Sequence, residues 1–310
     1  MRDISRKATT LRAASARATL RVAPATIDAL RAGALPKGDP LPVARVAAVQ
    51  AAKQTSALIP YCHPIAIDHV EVDFEIGAAE IAATASVTAI DRTGVEMEAL
   101  LAASIAALTL YDMLKPIDPG MEIAGITLCE KRGGKSSFAG AQGPSRRAAV
   151  LVVSDSVAAG VREDRSGGAI AERLAREGIE LVESATVPDD AGAIAAALER
   201  LADGSALDLV ITTGGTGVGP RDVTAEATAR VIEREVPGIA EALRAFGQSR
   251  TPFAMLSRGK AGLRGKTLIV NLPGSPKGVA ESLDALFPGV LHAFAMIAGG
   301  GHDAPEERRR

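Results

Sequence analysis

Several cationic side chains in the first half of the 310-residue chain occupy positions that suit the binding of a phosphorylated small molecule. Lys37 lies in a turn between Pro36 and Gly38, and Lys115 follows Asp112 by three residues on a predicted helix. At this spacing Asp112 could simply pair with Lys115, or it could hold the lysine for proton transfer. A lysine acts as acid or base only if its pKa is lowered towards neutrality. We expect one cationic pocket for a polyphosphate, formed by Lys37, Lys53, His63, Lys115 and Lys131.

Each of these residues also has an ordinary interpretation. Lysines in loops are usually solvated, and a histidine beside a proline, such as His63 before Pro64, is more often a capping or core residue. Glutamate at a helix start, as at Glu96 and Glu98, is favoured by the helix dipole. The collection of residues therefore carries the hypothesis, rather than any one of them.

The spacing along the predicted helix 94–115 has a geometric consequence. Glu98 and Asp112 are 14 residues apart, which is about 21 Å along a continuous helix. That distance is long for one small-molecule site. Either the ligand is extended, or a neighbouring copy brings one helix end to the opposite end of its partner's helix. We predict the second arrangement, an active site at a homo-oligomer interface.

In the second half, a glycine-rich turn runs from Thr213 to Gly219 between a buried strand and a helix, followed by Asp222. Glycines let backbone amides approach an anion, and a helix start offers unpaired N–H groups. The turn has no Gly-Lys-Ser/Thr signature and no dinucleotide-binding glycine placement. Asp222 could be an ordinary helix cap.

Three other loops of the second half carry residues suited to phosphate and metal binding. They contain Ser154, Ser166, Asp189, Ser275 and Lys277. Loops that follow parallel strands gather at one edge of a sheet. Asp189 and Asp222 could there hold a Mg²⁺ ion that bridges substrate phosphates.

The elements that must position these residues differ between the halves. In residues 1–140, alternating segments at 69–76 and 81–90 predict paired strands, and helices are predicted at 41–58 and 94–115. This pattern predicts an α+β domain with a ferredoxin-like antiparallel sheet. In residues 146–302, apolar strands at 148–154, 208–213 and 266–271 alternate with helices. They predict an α/β domain with a doubly wound parallel sheet. The Gly- and Ser-rich stretch 133–147 is the predicted linker.

Composition narrows the classes of function. The chain has 35 basic and 37 acidic residues and no basic excess in either half, so nucleic acid is not an expected partner. Two cysteines fit neither a disulfide framework nor a metal motif. The longest apolar stretch, 99–111, is shorter than a membrane span. We therefore expect a cytoplasmic protein without membrane contact.

The first half resembles the cyclic pyranopterin monophosphate synthase family, the MoaC family of molybdenum cofactor biosynthesis. The resemblance covers roughly residues 1–138 and is carried by these segments: Lys37-Gly38-Asp39, Gln50-Ala51-Ala52-Lys53, Ile59-Pro60-Tyr61-Cys62-His63-Pro64, Thr93-Gly94-Val95-Glu96-Met97-Glu98 and Tyr111-Asp112-Met113. It implies conversion of 3',8-cyclo-7,8-dihydro-GTP into cyclic pyranopterin monophosphate and pyrophosphate, without a cofactor.

The same resemblance implies roles for individual residues. Asp112 would be the active-site acid, and Lys37 and Lys115 would shuttle protons. The implied substrate-binding residues are Lys53, Tyr61, Cys62, His63, Glu96, Met97, Glu98 and Lys131. Position 61 is tyrosine where aliphatic residues are common in the family, so its backbone would have to make the contact.

The second half, about residues 147–300, resembles the molybdopterin-binding domain of molybdopterin adenylyltransferases (MogA and MoaB types). The resemblance is carried by Ser154-Asp155, Asp164-Arg165-Ser166-Gly167, Val187-Pro188-Asp189, Thr213-Gly214-Gly215-Thr216-Gly217, Arg221-Asp222-Val223-Thr224 and Asn271-Leu272-Pro273-Gly274-Ser275-Pro276-Lys277. Active members transfer AMP from ATP to molybdopterin with two aspartates, which match Asp189 and Asp222. The implied binding residues are Ser154, Ser166, Gly214, Gly215, Thr216, Gly217, Ser275 and Lys277.

These resemblances indicate a fusion of two enzymes of one pathway, acting on pterin and nucleotide substrates. Mg²⁺ and ATP are expected for the second half, and a homo-oligomer, trimer or hexamer, is expected for the whole. Two alternatives stay open. The second half could be a non-catalytic molybdopterin-binding or oligomerisation module, or both halves could be generic nucleotide-binding domains.

Overall fold

The structure is a computed structural model that describes residues 1–134, 145–204 and 206–299. The chain divides into two compact units, Met1–Phe138 and Ala139–Arg310, referred to below as the N-terminal and C-terminal units. Most of the predicted linker 133–147 lies outside the described residues. Each unit is described by itself.

The N-terminal unit contains a four-stranded antiparallel sheet. Its strands are β1 (Thr10–Arg21), β2 (His69–Ile76), β3 (Glu80–Asp91) and β4 (Glu122–Arg132), in the order β2-β3-β1-β4. With the helices between them this is the βαββαβ arrangement of a ferredoxin-like fold, as predicted. Sequence reasoning missed β1, which pairs with β3 along its whole length, from Thr10 opposite Asp91 to Arg21 opposite Glu80. Its alternation is weak in the sequence because alanine, a poor strand former, fills much of its buried face.

Helices cover one face of this sheet: α1 (Pro24–Arg31), α2 (Pro40–Lys53), the short α3 (Thr55–Leu58) and α4 (Glu96–Leu114). The predicted helix 41–58 is therefore two helices, separated at Gln54. α4 buries a stripe of alanines that packs with alanines of β1, β3 and α2 in one core. Small side chains let these elements approach closely, which explains how a core with so few aromatic residues is packed.

The C-terminal unit contains a six-stranded sheet. Its strands are β5 (Arg146–Val153), β6 (Ile179–Val187), β7 (Leu209–Thr213), β8 (Arg234–Glu235), β9 (Ala261–Arg264) and β10 (Thr267–Leu272). The order is β6-β5-β7-β10-β9-β8, in which β6, β5, β7 and β10 are parallel. These four strands confirm the predicted parallel sheet, and at one side of it β9 runs antiparallel to both β10 and β8. The chain reverses between β9 and β10 at Gly265, whose φ of 54° suits a tight hairpin.

Helices cover both faces of this sheet, as a doubly wound fold requires: α5 (Asp155–Ala158), α6 (Arg165–Arg176), α7 (Ala191–Gly204), α8 (Thr224–Val231), α9 (Pro237–Gln248), α10 (Pro276–Leu286) and α11 (Gly289–Ile297). A 3₁₀ turn, η1, spans Pro252–Leu256. One core holds Ile170 of α6 and Leu283 of α10, and a separate core holds Leu198 of α7 and Val231 of α8.

The apolar helix α4 is longer than the stretch expected from the sequence. Within the described residues, α4 has the length and composition of a membrane-spanning helix, and α10 with α11 would pass the same test together although a 60° bend separates them. We interpret α4 as a core helix, because its alanine stripe is buried against β1 and α2.

Candidate active sites

Lys37, Asp112 and Lys115 meet at the C-terminal end of α4 and are called here the Lys37 cluster. Lys37 lies in the turn before α2, where Asp39 caps the helix by accepting a hydrogen bond from the Leu41 amide. Its Nζ donates to Asp112 Oδ2 at 3.0 Å and to the Asp112 main-chain oxygen at 2.9 Å. Lys115 Nζ lies 2.7 Å from Asp112 Oδ1. One carboxylate therefore holds two ammonium groups.

The opposite charges of the Lys37 cluster stabilise one another's ionised forms. Hydrogen bonds from Lys115 and Lys37 lower the pKa of Asp112, and the hydrogen bond to Asp112 raises the pKa of Lys115. This is the opposite of the lowered lysine pKa that base catalysis needs. In this arrangement Lys115 is a cation and a proton donor rather than a base.

A second group, the Glu98 cluster, lies at the N-terminal end of α4 and consists of Cys62, Glu96, Glu98 and Lys131. Lys131 forms an ion pair with Glu96. Burial opposes ionisation of Glu96 and is the largest single influence. The hydrogen bond from Lys131, a backbone hydrogen bond and the charges of Lys131 and Arg12 together outweigh it, so the pKa of Glu96 is lowered. Glu98 is 3% exposed, and its burial, followed by the neighbouring charges of Glu96 and Asp91, raises its pKa. Burial and the Glu98 charge raise the pKa of the Cys62 thiol.

The predicted residues of the N-terminal unit therefore fall into two groups at opposite ends of one helix. The expectation of a single pocket is wrong within one chain, since 14 residues of helix separate Glu98 from Asp112, a rise of about 21 Å. Lys53 is exposed at the end of α2, and His63 is half-buried in the turn beyond α3. Tyr61 is 77% exposed and Met97 is also exposed.

The C-terminal unit brings its predicted loops to one sheet edge. Because β5, β6, β7 and β10 are parallel, the loops that follow them meet at their carboxyl ends. Two of these loops are joined reciprocally: the Asp155 amide donates to Asp189 Oδ2 at 3.0 Å, and the Asp189 amide donates to Asp155 Oδ1 at 2.9 Å. Arg221 forms ion pairs with both carboxylates.

The glycine-rich turn after β7 lies against the neighbouring strand. Gly214 has φ of 103°, and a Cβ there would lie 2.2 Å from the carbonyl oxygen of Val153. Only glycine permits this close approach. The Thr224 hydroxyl donates to the Gly214 carbonyl at 2.9 Å and anchors the turn to the start of α8.

Asp222 does not cap the following helix. Val223 is the N-cap of α8 and makes no side-chain cap, so the capping alternative is wrong. Asp222 Oδ2 instead accepts a hydrogen bond from the Gly219 amide at 2.8 Å. A Cβ at Gly217 or Gly219 would lie 2.8 Å from the same oxygen. The loop therefore folds around its own carboxylate.

The serines predicted to bind substrate also hold the loops together. Ser166 Oγ donates to the Gly274 carbonyl at 2.8 Å, and Ser275 Oγ accepts from the Gly278 amide as the cap of α10. Ser154 caps α5 in the same way. Lys277 is exposed in the first turn of α10.

A cavity of about 390 Å³ opens beside the glycine-rich turn. Its polar wall includes Thr216, Gly217, Asp222, Gly274 and Ser275, and its apolar wall includes Leu243, Phe253 and Leu256. Such a combination of convergent polar groups and apolar surface is typical of a small-molecule site.

The residues at this edge fit a magnesium ion that arrives with phosphates. Among the described residues, no three His, Cys, Asp or Glu side chains form a metal-binding group. Burial, followed by the nearby charge of Asp222, raises the pKa of Asp189, so Asp189 carries an unfavourable negative charge that a bound cation would stabilise. Mg²⁺ is commonly held by one or two carboxylates together with substrate phosphates and water. Asp189 and Asp222 match that donor set.

Comparison with known proteins connects both sites to one pathway. Residues 1–134 match the MoaC family, and residues 149–293 match the family described as a probable molybdopterin binding domain. A molybdenum cofactor biosynthesis bifunctional protein of Chlorobaculum tepidum is 45% identical over 302 residues, which is 97% of this chain and 96% of the relative. The chain belongs to this bifunctional family.

Two further relatives each match one half of this bifunctional chain. A cyclic pyranopterin monophosphate synthase of Novosphingobium aromaticivorans is 55% identical over 136 residues, covering 44% of this chain and 87% of the relative. A crystal structure of the molybdopterin biosynthesis enzyme MoaB of Thermus thermophilus is 49% identical, covers 50% of this chain and 97% of its own, and has a TM-score of 0.48.

Sequence reasoning assigned no role to three residues that the bifunctional chain places at the second site. Asp155 follows β5 as Asp189 follows β6, a parallel that the sequence alone could have suggested. Arg221 immediately precedes Asp222. Arg258 comes from the segment between η1 and β9, and only the tertiary structure brings it to the glycine-rich turn.

Proposed function

We propose that the N-terminal unit converts 3',8-cyclo-7,8-dihydro-GTP into cyclic pyranopterin monophosphate and releases pyrophosphate. The observation that carries this proposal is the Lys37 cluster, in which one carboxylate holds two ammonium groups at an exposed helix end. The proposal is supported by the identity to a named cyclic pyranopterin monophosphate synthase over residues of this unit.

The Lys37 cluster supplies charge and protons in this reaction. A triphosphate carries several negative charges, and the ammonium groups of Lys37 and Lys115 would bind them as point charges. Asp112 keeps Lys115 protonated, so Lys115 can donate a proton to a leaving oxygen. After donation the neutral amine can accept a proton during ring closure.

We further propose that this active site is completed by a second copy of the chain. The Lys37 and Glu98 clusters belong to opposite ends of α4 and are too far apart to contact one nucleotide ring together. A two-fold or three-fold contact between copies would bring the Lys37 cluster of one chain to the Glu98 cluster of another. A homo-oligomer follows from this proposal, and we propose that it is a trimer or hexamer.

We propose that the C-terminal unit binds molybdopterin and adenylylates it with Mg-ATP. The observation that carries this proposal is the convergence of Asp189 and Asp222 beside a glycine-rich turn. A phosphate oxygen of molybdopterin would attack the α-phosphorus of ATP, forming one P–O bond while the bond to the β-phosphate breaks and pyrophosphate leaves.

The residues of this edge would bind and orient the two phosphates. Backbone amides of the turn and of the start of α10 would donate hydrogen bonds to phosphate oxygens, and Lys277 would add a positive charge. When bound, Mg²⁺ would neutralise charge on the reacting phosphates. Asp189 and Asp222 would hold it, and Arg221 would be free to contact a phosphate once the metal compensates Asp155 and Asp189.

A two-substrate turnover assay on the full chain tests both proposals. With the cyclised GTP precursor alone, we expect cyclic pyranopterin monophosphate and one pyrophosphate per turnover. With molybdopterin and Mg-ATP, we expect adenylylated molybdopterin. Molybdopterin binding without AMP transfer would instead identify the C-terminal unit as a non-catalytic binding module. No turnover of the cyclised precursor would refute the proposal for the N-terminal unit.

A further inference from the structure

The segment Thr216–Asp222, called here the Asp222 loop, is held at both ends by one distant side chain. Arg258 lies between η1 and β9, 36 residues beyond Asp222. Its Nε donates to the Gly217 carbonyl at 2.5 Å, and another guanidinium nitrogen donates to the Asp222 carbonyl. The Arg258 amide also donates to the Thr216 carbonyl at 2.8 Å.

The same guanidinium also reaches the helix that follows the loop. A third nitrogen of Arg258 forms an ion pair with Glu226, in the first turn of α8. The side chain therefore joins the start of the loop, its end and the next helix. The planar guanidinium has five donors in a fixed geometry, which a lysine ammonium cannot reproduce.

The loop needs such a restraint because its own sequence is flexible. Gly217 and Gly219 leave the backbone with many accessible conformations. The bond from the Gly219 amide to Asp222 Oδ2 spans only three residues, so it fixes the carboxylate relative to its loop but not relative to the sheet. Arg258 connects the loop to the segment that leads into β9, a strand of the sheet.

We propose that Arg258 is a positioning residue for AMP transfer. It contacts carbonyl groups rather than substrate, and through them it sets where the Asp222 carboxylate and the Gly217 and Gly219 amides lie. This inference rests on the proposed adenylyltransferase function of the C-terminal unit. Arg258 acts on geometry, so its removal impairs the reaction more than the fold.

The test compares Arg258→Ala and Arg258→Lys with a matched control, Arg264→Ala, all in the full chain. Arg264 is also a three-donor arginine: it makes a bidentate pair with Asp203 and donates to the Val231 carbonyl at 3.2 Å. It lies at the opposite end of β9–β10 from the glycine-rich turn. Its removal therefore reports what the loss of an arginine network does without disturbing the Asp222 loop.

We expect Arg258→Ala to lower kcat for AMP transfer on the order of 10²-fold, the effect of a misplaced catalytic group. The Mg²⁺ concentration for half-maximal rate should rise, while the melting temperature changes no more than in Arg264→Ala. Arg258→Lys should rescue little of the rate. Arg264→Ala should keep kcat and the Mg²⁺ dependence of the wild type.

A second measurement does not depend on activity. In both Arg258 variants, amide hydrogen exchange of Gly217, Gly219 and Asp222 should accelerate at least ~tenfold. Exchange in the other loops of both units should not change. Unchanged exchange together with an unchanged Mg²⁺ dependence would overturn the inference. If the wild type transfers no AMP, the proposed function fails, and the role of Arg258 in that reaction fails with it. Accelerated exchange would then identify Arg258 as a purely structural clamp.

Discussion

The two units bring their candidate site residues together in different ways. In the C-terminal unit, residues far apart in the sequence meet at one edge, because the parallel strands β5, β6, β7 and β10 all end there. In the N-terminal unit, the candidate residues lie at both ends of α4. The strands of its antiparallel sheet run in alternating directions, so the loops that follow them do not all meet at one edge. The C-terminal candidate residues meet within one chain. By our proposal, the N-terminal site is completed by another copy.

This difference also affects how the charged residues are used. Asp112 is exposed and shared by two lysines that lower its pKa. Asp189 is partly buried, and burial together with Asp222 raises its pKa. The lysines of the N-terminal unit favour the ionised form of Asp112. In the C-terminal unit, burial and Asp222 disfavour the ionised form of Asp189 although Arg221 pairs with it.

The largest expected effect is the loss of one activity, with the other retained, when one site is mutated. Asp112→Asn should reduce cyclic pyranopterin monophosphate formation on the order of 10²–10⁴-fold, the range for loss of a proton-transfer group. AMP transfer by the same protein should stay at the wild-type level. Glu75→Gln is the control, because Glu75 pairs with Arg17 in an exposed ion pair outside both clusters. Near wild-type turnover by Asp112→Asn would remove the Lys37 cluster from the mechanism.

The reciprocal change is Asp222→Asn. We expect AMP transfer to fall on the order of 10²-fold or more, since the charge that holds the cation is lost, while cyclic pyranopterin monophosphate formation is unaffected. Asp190→Asn should be neutral, because Asp190 caps a helix by accepting from the Ala193 amide at 2.8 Å, and asparagine caps equally well. Parallel assays of both reactions on each protein provide the measurement.

The shared-site proposal predicts recovery of activity on mixing. Lys37→Ala and Glu98→Gln remove residues from opposite ends of α4 and should each be inactive. If two chains form each site, random mixing should restore about a quarter of wild-type activity, because half of the pairs are mixed and each mixed pair has one intact site of two. Exchange of subunits would be verified by mass spectrometry. Exchanged but inactive mixtures would show that each site lies within one chain.

The smallest expected effect concerns stability and its pH dependence. The pKa of Glu98 is raised in the folded state, mainly by burial, so folding retains a proton that the unfolded chain releases. Wild-type stability should therefore fall as pH rises from the unfolded pKa to the folded pKa. Glu98→Gln has no carboxylate to ionise, so its stability does not fall in this pH range. Its melting temperature should be about 2 °C or more above that of the wild type at pH 8. The difference should vanish at pH values below the unfolded pKa, as measured by thermal melts across pH.

Much of the fold could be predicted from the sequence. Two alternating segments were correctly predicted as β2 and β3, and three continuous apolar runs as β5, β7 and β10. The segments that were missed have weak patterns. β1 is built on alanine, and β8 and β9 have only two and four residues. Predicted element ends differ from the observed ones by a few residues, as in the predicted helix 94–115, which is observed as Glu96–Leu114.

The sequence by itself determined which residue types were available for chemistry and that both halves suit phosphorylated ligands, since motif spacing is local. Only the tertiary structure decided which of those residues meet. It brings Lys37 into hydrogen-bond contact with Asp112, 75 residues later in the sequence. It places Lys131 at the other end of α4. It also brought Arg258 to the Asp222 loop. Such contacts depend on strand order and helix direction, which arise from burial of the whole chain rather than from any local segment.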